Sequence, residues 1–149
     1  MKAIVQRVKN AGVSVDNTTI SSIGNGLMVL LGVGKGDTEK EADYLVDKII
    51  HLRIFEDDQG KMNLSLKDVG GELLVVSQFT LLGDCRKGRR PSFTEAAPPA
   101  EAERLYTYFA QKASEAGIDV QTGQFQANMD VSLINQGPVT LMLESKPRV

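Results

Sequence analysis

The feature that most constrains the fold is an unbroken aliphatic run at residues 73–76 that leads into the polar signature Ser77-Gln78-Phe79-Thr80. Such a run is typical of a strand buried on both faces of a sheet. We therefore predict a strand over residues 73–82 that delivers hydroxyl and amide groups to the mouth of a pocket. A core strand that simply ends in a loop is the alternative, and the residues alone leave both open.

A second apolar run, residues 27–33, predicts the middle strand of the same sheet. Before it, residues 2–9 alternate in polarity and predict a first strand. A second strand passes through Val13 and Val15 and turns back at Asp16-Asn17, as in an antiparallel meander. The first part of the chain is therefore predicted to be rich in strands.

Two helices are predicted from start and stop signals. Thr38-Glu39-Lys40-Glu41 has the spacing of a capping box, followed by an apolar stripe at helical spacing. A second helix is expected over residues 100–116, after two prolines and before Gly117. The stripe of the first helix consists of Ala42, Leu45, Val46 and Ile49.

Shorter elements fill the rest of the chain. We predict short strands at residues 53–55 and 118–121, with a tight turn around Asp57-Asp58-Gln59-Gly60. Odd-numbered aliphatic residues between 131 and 143 predict two final strands that share a buried face, separated by a turn at Asn135-Gln136-Gly137-Pro138. The order of elements predicts an α/β single domain over residues 1–149, with a mixed, mostly antiparallel sheet, two main helices and a second strand-rich layer.

Composition and residue counts exclude several classes of function. No apolar run approaches the length of a membrane span, and the N-terminal segment lacks the features of a signal peptide, so a cytoplasmic protein is expected. Cys85 is the only cysteine and His51 the only histidine, which makes zinc sites and Ser-His-Asp triads improbable. Cys85 either forms a nucleophile–base pair with His51 or is an incidental exposed thiol, and the sequence leaves both interpretations open. No metal or cofactor is expected.

A short basic segment stands out against the net charge of −2. Arg86-Lys87-Gly88-Arg89-Arg90 contains four positive charges in five residues. Such a patch is either a solvated loop or a local contact for nucleic-acid phosphates, and the sequence does not decide between these two interpretations.

Taken together, two signatures resemble those of the D-aminoacyl-tRNA deacylases. They are Ser77-Gln78-Phe79-Thr80-Leu81 and Asn135-Gln136-Gly137-Pro138-Val139-Thr140. Supporting matches occur in the expected order at Gln6-Arg7-Val8, at residues 60–63, at Arg90-Pro91-Ser92-Phe93 and at residues 122–125. The resemblance covers essentially the whole chain.

The resemblance implies an esterase that removes D-amino acids, and glycine attached in error, from the terminal adenosine of tRNA. It implies a three-layer α/β/β fold and a homodimer. Gly137-Pro138 would be the cis-proline motif of one subunit, inserted into the site of the other so that its carbonyls hold the substrate amino group and exclude an L side chain.

The resemblance also implies roles for single residues. Gln78, Phe79 and Thr80 are expected at the ester, where backbone amides stabilise the oxyanion while water attacks with help from the tRNA 2′-hydroxyl. Thr80 is expected to position substrate, with a nucleophilic role as the alternative. The other expected site residues are Ser77, Met129, Arg7, Gly137 and Pro138 for substrate, and Arg86, Lys87, Arg89 and Arg90 for tRNA phosphates.

Two hypotheses of other classes remain. One is a noncatalytic module that binds RNA ends or chromatin with the same fold, and the other is a small dimeric structural protein. Gln136, where relatives commonly have an acidic residue, is expected to tune the site without abolishing activity.

Overall fold

The computed structural model describes residues 1–145, so the last four residues of the predicted domain lie outside the described part. The elements are β1 (Lys2–Val15), β2 (Thr18–Ile23), β3 (Gly26–Gly32), α1 (Glu39–His51), β4 (Phe55–Glu56), β5 (Met62–Leu64), α2 (Leu66–Val69), β6 (Glu72–Ser77), a 3-10 turn (Phe79–Leu82), α3 (Pro99–Glu115), β7 (Asp119–Thr122) and β8 (Asp130–Glu144). Within residues 1–145, no helix is long and apolar enough to cross a membrane.

The main sheet is organised around β1, which has three antiparallel partners. Its first half pairs with β3, its second half pairs with β2, and β8 runs along its other edge. On the far side, β3 pairs in parallel with β6, and β6 pairs in parallel with β7. This confirms a mixed, mostly antiparallel sheet, with β3 in an interior position as predicted.

Two core clusters on opposite faces of the sheet make a three-layer structure. One cluster packs α1 and α3 against side chains such as Leu27, Val29 and Val75. The other packs the neighbouring residues of the same strands, such as Met28 and Leu74, against the second half of β1 and against β2. The sheet therefore folds back over itself, and the predicted α/β/β arrangement with two main helices is confirmed.

Both main helices begin where local signals predict, and α3 also ends beside its predicted glycine. Thr38 and Glu41 form the capping box at the start of α1, with Thr38 N–H donating to Glu41 Oε2 at 2.6 Å. The helix α3 begins at Pro99, and Gly117 follows it with a φ of 91°, a conformation that favours glycine. The predicted stripe of α1 is buried.

The first prediction to fail concerns β1, which is one strand of 14 residues, whereas two were expected. Ala3 and Val5 face the helical layer, whereas Ala11 and Val13 face the opposite cluster although their numbers are also odd. The pairing of β1 with β8 is irregular between Gln6 and Asn10, and after this point the odd-numbered side chains of β1 point to the opposite face of the sheet. A bulge of this kind interrupts alternation without ending the strand.

The last ribbon is also one strand. No turn separates residues 131–133 from 139–143, because β8 stays paired with β1 on both sides of residues 136–138. Gln6 is opposite Thr140 and Val8 is opposite Asn135, so the single residue Arg7 faces four residues of β8. The predicted turn is therefore a large bulge, and the shared face is only partly buried, with Val131 37% exposed.

The strand expected over residues 73–82 ends at Ser77, and residues 79–82 form a 3-10 turn. In the region between the helices, the short strand predicted at residues 53–55 occurs at Phe55–Glu56, where it pairs with β5. The short helix α2 lies where an irregular connection was expected. It starts at a capping box formed by Ser65 and Asp68.

Candidate active site

The described residues enclose a cavity of about 930 Å³ at the end of β6. This volume lies within the range of small-molecule sites, about 300–1,000 Å³. Its wall is mostly apolar and is formed by three groups of residues. These are the strand ends Val33, Val76, Ser77, Gln78 and Phe79, the stretch from Phe93 to Ala102, and the stretch from Phe125 to Val131.

The parallel pairing of β3, β6 and β7 determines where this wall lies in the fold. Parallel strands end at the same edge of a sheet, so Ser77 and the residues after β7 are brought together there. Gln78 N–H donates to Leu31 C=O at 2.8 Å, which holds the chain as it leaves β6. A Cβ at Gly32 would lie 2.7 Å from Leu82, so glycine allows the 3-10 turn to approach β3 closely.

Thr80 does not line the cavity, and its hydroxyl accepts a hydrogen bond from Gln78 Nε2. Within residues 1–145, this amide is its only side-chain partner. An amide N–H that donates to a hydroxyl oxygen does not remove its proton, so this contact orients Thr80 without activating it as a nucleophile. The backbone N–H groups of Phe79 and Thr80 have no hydrogen-bond partner in the described part of the chain.

Phe79 and Phe93 form an edge-to-face aromatic pair at the cavity, with ring centroids 5.1 Å apart. Phe93 is brought there by paired backbone hydrogen bonds between Asp84 and Ser92, at 2.7 and 2.9 Å. The sequence reasoning assigned no role to Phe93. Its place in Arg90-Pro91-Ser92-Phe93, already noted as a match, was the available signal.

The far wall contains Met129, which is expected to bind substrate, together with Phe125. Gln124 N–H donates to Met129 Sδ at 3.4 Å, and Tyr106 Oη donates to Val75 C=O at 3.1 Å. Burial raises the pKa of Tyr106, so its hydroxyl stays protonated and available as a donor. Tyr106 thus ties α3 to the strand that ends at the cavity.

A second group of predicted residues lies outside the cavity wall. Arg7 is 6% exposed; its Nε donates to Gln136 C=O at 2.9 Å and its Nη1 donates to Ile54 C=O at 2.8 Å. The bulge that it supports carries Gly137 and Pro138 on the surface, joined by a cis peptide bond. The structure therefore separates Arg7, Gly137 and Pro138 from Ser77, Gln78, Phe79 and Met129 within one chain.

The basic segment is exposed and does not line the cavity. Arg86 binds Asp84 through two hydrogen bonds of 2.9 and 2.7 Å, and these bonds lower the pKa of Asp84 to about 2. Lys87, Arg89 and Arg90 make no ion pair or side-chain hydrogen bond with residues 1–145.

The remaining candidates from the sequence have structural roles. Asp57 accepts hydrogen bonds from Gln59 N–H, Lys61 N–H and Asn63 Nδ2, which closes the predicted turn and lowers its pKa. The His51 ring contacts Asp47, and no bond joins it to the exposed Cys85. Residues 1–145 contain no group of three or more His, Cys, Asp or Glu that could hold a metal ion.

Comparison with known proteins gives one consistent family. The family described as D-Tyr-tRNA(Tyr) deacylase matches residues 4–144. A D-aminoacyl-tRNA deacylase of Geotalea uraniireducens (strain Rf4) is 64% identical over 97% of this chain and 94% of its own. One of Thermosipho africanus (strain TCF52B) is 60% identical over 98% of each chain.

Solved structures agree on the fold. A protein named c-Myc DNA Unwinding Element Binding Protein superposes with a TM-score of 0.93 at 44% identity, over 99% of this chain and 100% of its own. A probable eukaryotic D-amino acid tRNA deacylase superposes with a TM-score of 0.81 over 96% and 98% of the two chains. At 20% identity, the second likeness concerns the fold alone.

Proposed function

The chain belongs to the D-Tyr-tRNA(Tyr) deacylase family and is a hydrolase that acts on D-aminoacyl-tRNA, and on this premise we propose how it does so. It cleaves the ester between a D-amino acid, or misattached glycine, and the terminal adenosine, and releases free tRNA and amino acid. It uses water as the nucleophile and no cofactor. It acts in the cytoplasm as a proofreading enzyme.

The observation that carries this proposal is the cavity at the end of β6. Its volume of about 930 Å³ and its apolar wall suit an adenosine that carries an amino acid. Met129 and Phe125 offer apolar surface for the adenine, whereas Ser77 and Gln78 offer polar groups at the opposite wall. Bases stack on such surfaces, and the polar groups orient the ester.

The chemistry depends on backbone donors because the wall contains no side chain suited to general base catalysis. Lys35 is the only charged residue among those that line the cavity. The free N–H groups of Phe79 and Thr80 are suited to stabilise the negative charge that develops on the ester carbonyl oxygen. The 2′-hydroxyl of the substrate ribose then assists the attacking water. Gln78 holds the ester in position, and Thr80 orients the Gln78 amide through the hydrogen bond between them.

Chiral selection requires a rigid wall beside the substrate amino group. Gly137 and Pro138 lie on the surface of their own chain, away from its cavity. Arg7 holds their bulge through its hydrogen bond to Gln136 C=O and is itself fixed by a second bond to Ile54 C=O. We assign this wall to Gly137 and Pro138 of the partner subunit in a homodimer. Their carbonyl oxygens accept from the substrate ammonium, and an L side chain collides with the backbone.

A homodimer is supported by the surface of β8. Its only partner among the described strands is β1, so one edge of β8 is unpaired. The strand also exposes large apolar side chains, with Ile134 52% and Met142 67% exposed. An unpaired edge beside exposed apolar residues is a common site of association between chains.

Hydrolysis of matched D- and L-tyrosyl-tRNA by the purified protein, with a chelator present, tests the proposal. We expect loss of the D ester only. Equal cleavage of both esters would contradict chiral selection, and cleavage no faster than in buffer would contradict the enzymatic function.

A second candidate is binding of nucleic acid without turnover. The name of the 44% identical protein, which describes it as binding a DNA unwinding element, and the exposed cations Lys87, Arg89 and Arg90 favour this candidate. A module of this kind binds duplex DNA with strong salt dependence and leaves the ester intact. Binding of duplex DNA and of uncharged tRNA, measured at two salt concentrations, separates it from the enzyme.

A further inference from the structure

The wall of the cavity carries a single formal charge, that of Lys35. Its other lining residues are apolar side chains, hydroxyls and amides. Among the residues that line this cavity, Lys35 is therefore the one able to pair with an anion. We therefore expect a ligand of this cavity to carry an anionic group near Lys35.

The backbone of Lys35 is fixed on both sides. Lys35 N–H donates to Glu95 C=O at 3.0 Å, and Gly34 N–H donates to Asp37 Oδ2 at 2.7 Å. The same Asp37 oxygen lies 2.7 Å from the Met1 ammonium, and both groups are almost fully buried. The lysine stem therefore rises from a turn that is anchored in the protein.

The side chain of Lys35 is exposed and makes no hydrogen bond or ion pair with residues 1–145. It lies at the border between the large cavity and a smaller one of about 240 Å³. No carboxylate lies within ion-pairing distance of its ammonium group among residues 1–145, although Glu95 and Glu144 line the smaller cavity. The charge of Lys35 is thus available to a ligand that enters the large cavity.

We propose that Lys35 binds the phosphate attached to the 5′-oxygen of the terminal adenosine and thereby positions the ester in the cavity. This rests on the proposed function, since it takes an aminoacyl-adenosine as the occupant. In tRNA this phosphate links the terminal nucleoside to the rest of the chain, so it must leave the cavity through its mouth. A Lys–phosphate contact there is charge-assisted and is stronger than a neutral hydrogen bond.

Three substrates test the proposal: D-tyrosyl-tRNA, D-tyrosyl ester of adenosine 5′-monophosphate, and D-tyrosyl ester of adenosine without phosphate. Lys35→Ala is expected to raise KM for the phosphate-bearing ester roughly three- to tenfold more than for the phosphate-free ester, with similar kcat. Lys35→Arg restores most of the difference. Lys40→Ala, which removes an exposed charge nearby in sequence and outside the cavity wall, serves as the matched control.

The outcomes separate this inference from the function on which it rests. If wild-type protein fails to cleave D-tyrosyl-tRNA, the proposed function itself is wrong. If wild-type protein is active and Lys35→Ala changes KM equally for both small esters, Lys35 has a structural role and the inference is overturned. An unchanged KM for all three substrates also overturns it.

A second measurement uses salt. For a single-stranded 3′ end, the loss of one phosphate contact is expected to reduce the slope of log KM against log salt by about 0.7. Lys35→Ala should show this reduction with D-tyrosyl-tRNA, and Lys40→Ala should not. Equal slopes for wild type and Lys35→Ala would contradict the contact.

Discussion

Asn135 and Val139 are joined by two hydrogen bonds across the bulge of β8. Val139 N–H donates to Asn135 Oδ1 at 2.7 Å, and Asn135 Nδ2 donates to Val139 C=O at 3.0 Å. The side chain of Asn135 thus takes the place of a paired strand and closes the loop that carries Gly137 and Pro138. One amide therefore fixes the distance between the two flanks of this loop.

Replacing this amide should weaken both the fold and chiral selection. Asn135→Ala leaves the N–H and C=O of Val139 without their partner, and we expect the free energy of unfolding to fall by about 1–3 kcal/mol. Asn135→Asp keeps the acceptor for Val139 N–H and should lie between wild type and Asn135→Ala. Urea unfolding and the D-to-L ratio of kcat/KM measure the two effects, and an unchanged ratio would contradict a role of the loop in selection.

Arg7→Lys tests the other support of the bulge. A lysine ammonium cannot reproduce the fork with which Arg7 binds Gln136 C=O and Ile54 C=O together, so one of these carbonyls loses its partner. We expect a loss of about 1–3 kcal/mol in stability and a lower D-to-L ratio. Arg53→Lys is the matched control, because Arg53 binds Asn63 in a similar way on the exposed surface. If both variants behave alike, the support by Arg7 is not specific.

Thr80→Ala should remain active. Gln78 donates to the Thr80 hydroxyl, and no base among residues 1–145 accepts its proton. We therefore expect kcat to fall by less than about tenfold, whereas loss of a true nucleophile costs about 10⁶-fold. Single-turnover hydrolysis of D-tyrosyl-tRNA measures the change. A loss of several orders of magnitude, or an acyl-enzyme trapped in wild type and absent from the variant, would identify Thr80 as the nucleophile.

The Asp84 carboxyl should titrate at a pH of about 2, because hydrogen bonds from Arg86 lower its pKa by favouring its charged form. A carboxyl whose pKa is lowered on folding stabilises the folded loop above the ordinary pKa of 3.8, and this contribution is lost as the pH falls towards 2. Arg86→Ala should return the midpoint towards 3.8. Carboxyl carbon NMR against pH measures both midpoints, and equal values would show that Arg86 does not hold Asp84 in solution.

The four cations of the basic loop should contribute unequally to tRNA binding. Arg86 is engaged with Asp84, whereas Lys87, Arg89 and Arg90 are free of protein partners in the described chain. Replacement of each free residue by alanine should reduce the slope of log Kd against log salt by up to about 0.9, the value for one phosphate contact on a duplex. Arg86→Ala should have a smaller effect. Lys61→Ala, an exposed lysine of the turn after β4, is the control; equal slopes for all variants would contradict a tRNA contact in this loop.

Sequence reasoning was most accurate where local signals are sufficient. The capping box of Thr38 and Glu41 lies within one helical turn, so the start of α1 could be predicted directly. The apolar runs that became β3 and β6 are similarly local. The family resemblance added the layers of the fold and grouped residues that local patterns do not connect.

Long-range contacts explain what could not be predicted. Gly137-Pro138 has the composition of a turn, yet Asn135 bridges its flanks and Arg7, 129 positions before Gln136, supports it, so the chain continues in the same direction. Phe93 and Lys35 were missed as parts of the cavity because they lie far in sequence from Ser77. The parallel pairing of β3 with β6 brings Lys35 to the end of β6, and the backbone hydrogen bonds between Asp84 and Ser92 bring Phe93 there.

The pairing of β1 with β8 has a consequence for how the protein folds. Residues 2–14 lie against residues 130–144, so the longest ladder of the sheet joins two segments that are far apart in the sequence. The edge of β1 that receives β8 stays unpaired until residues 130–144 are available to pair with it. Because contacts of such long sequence separation slow folding, we expect the closure of this ladder to be a late step in folding.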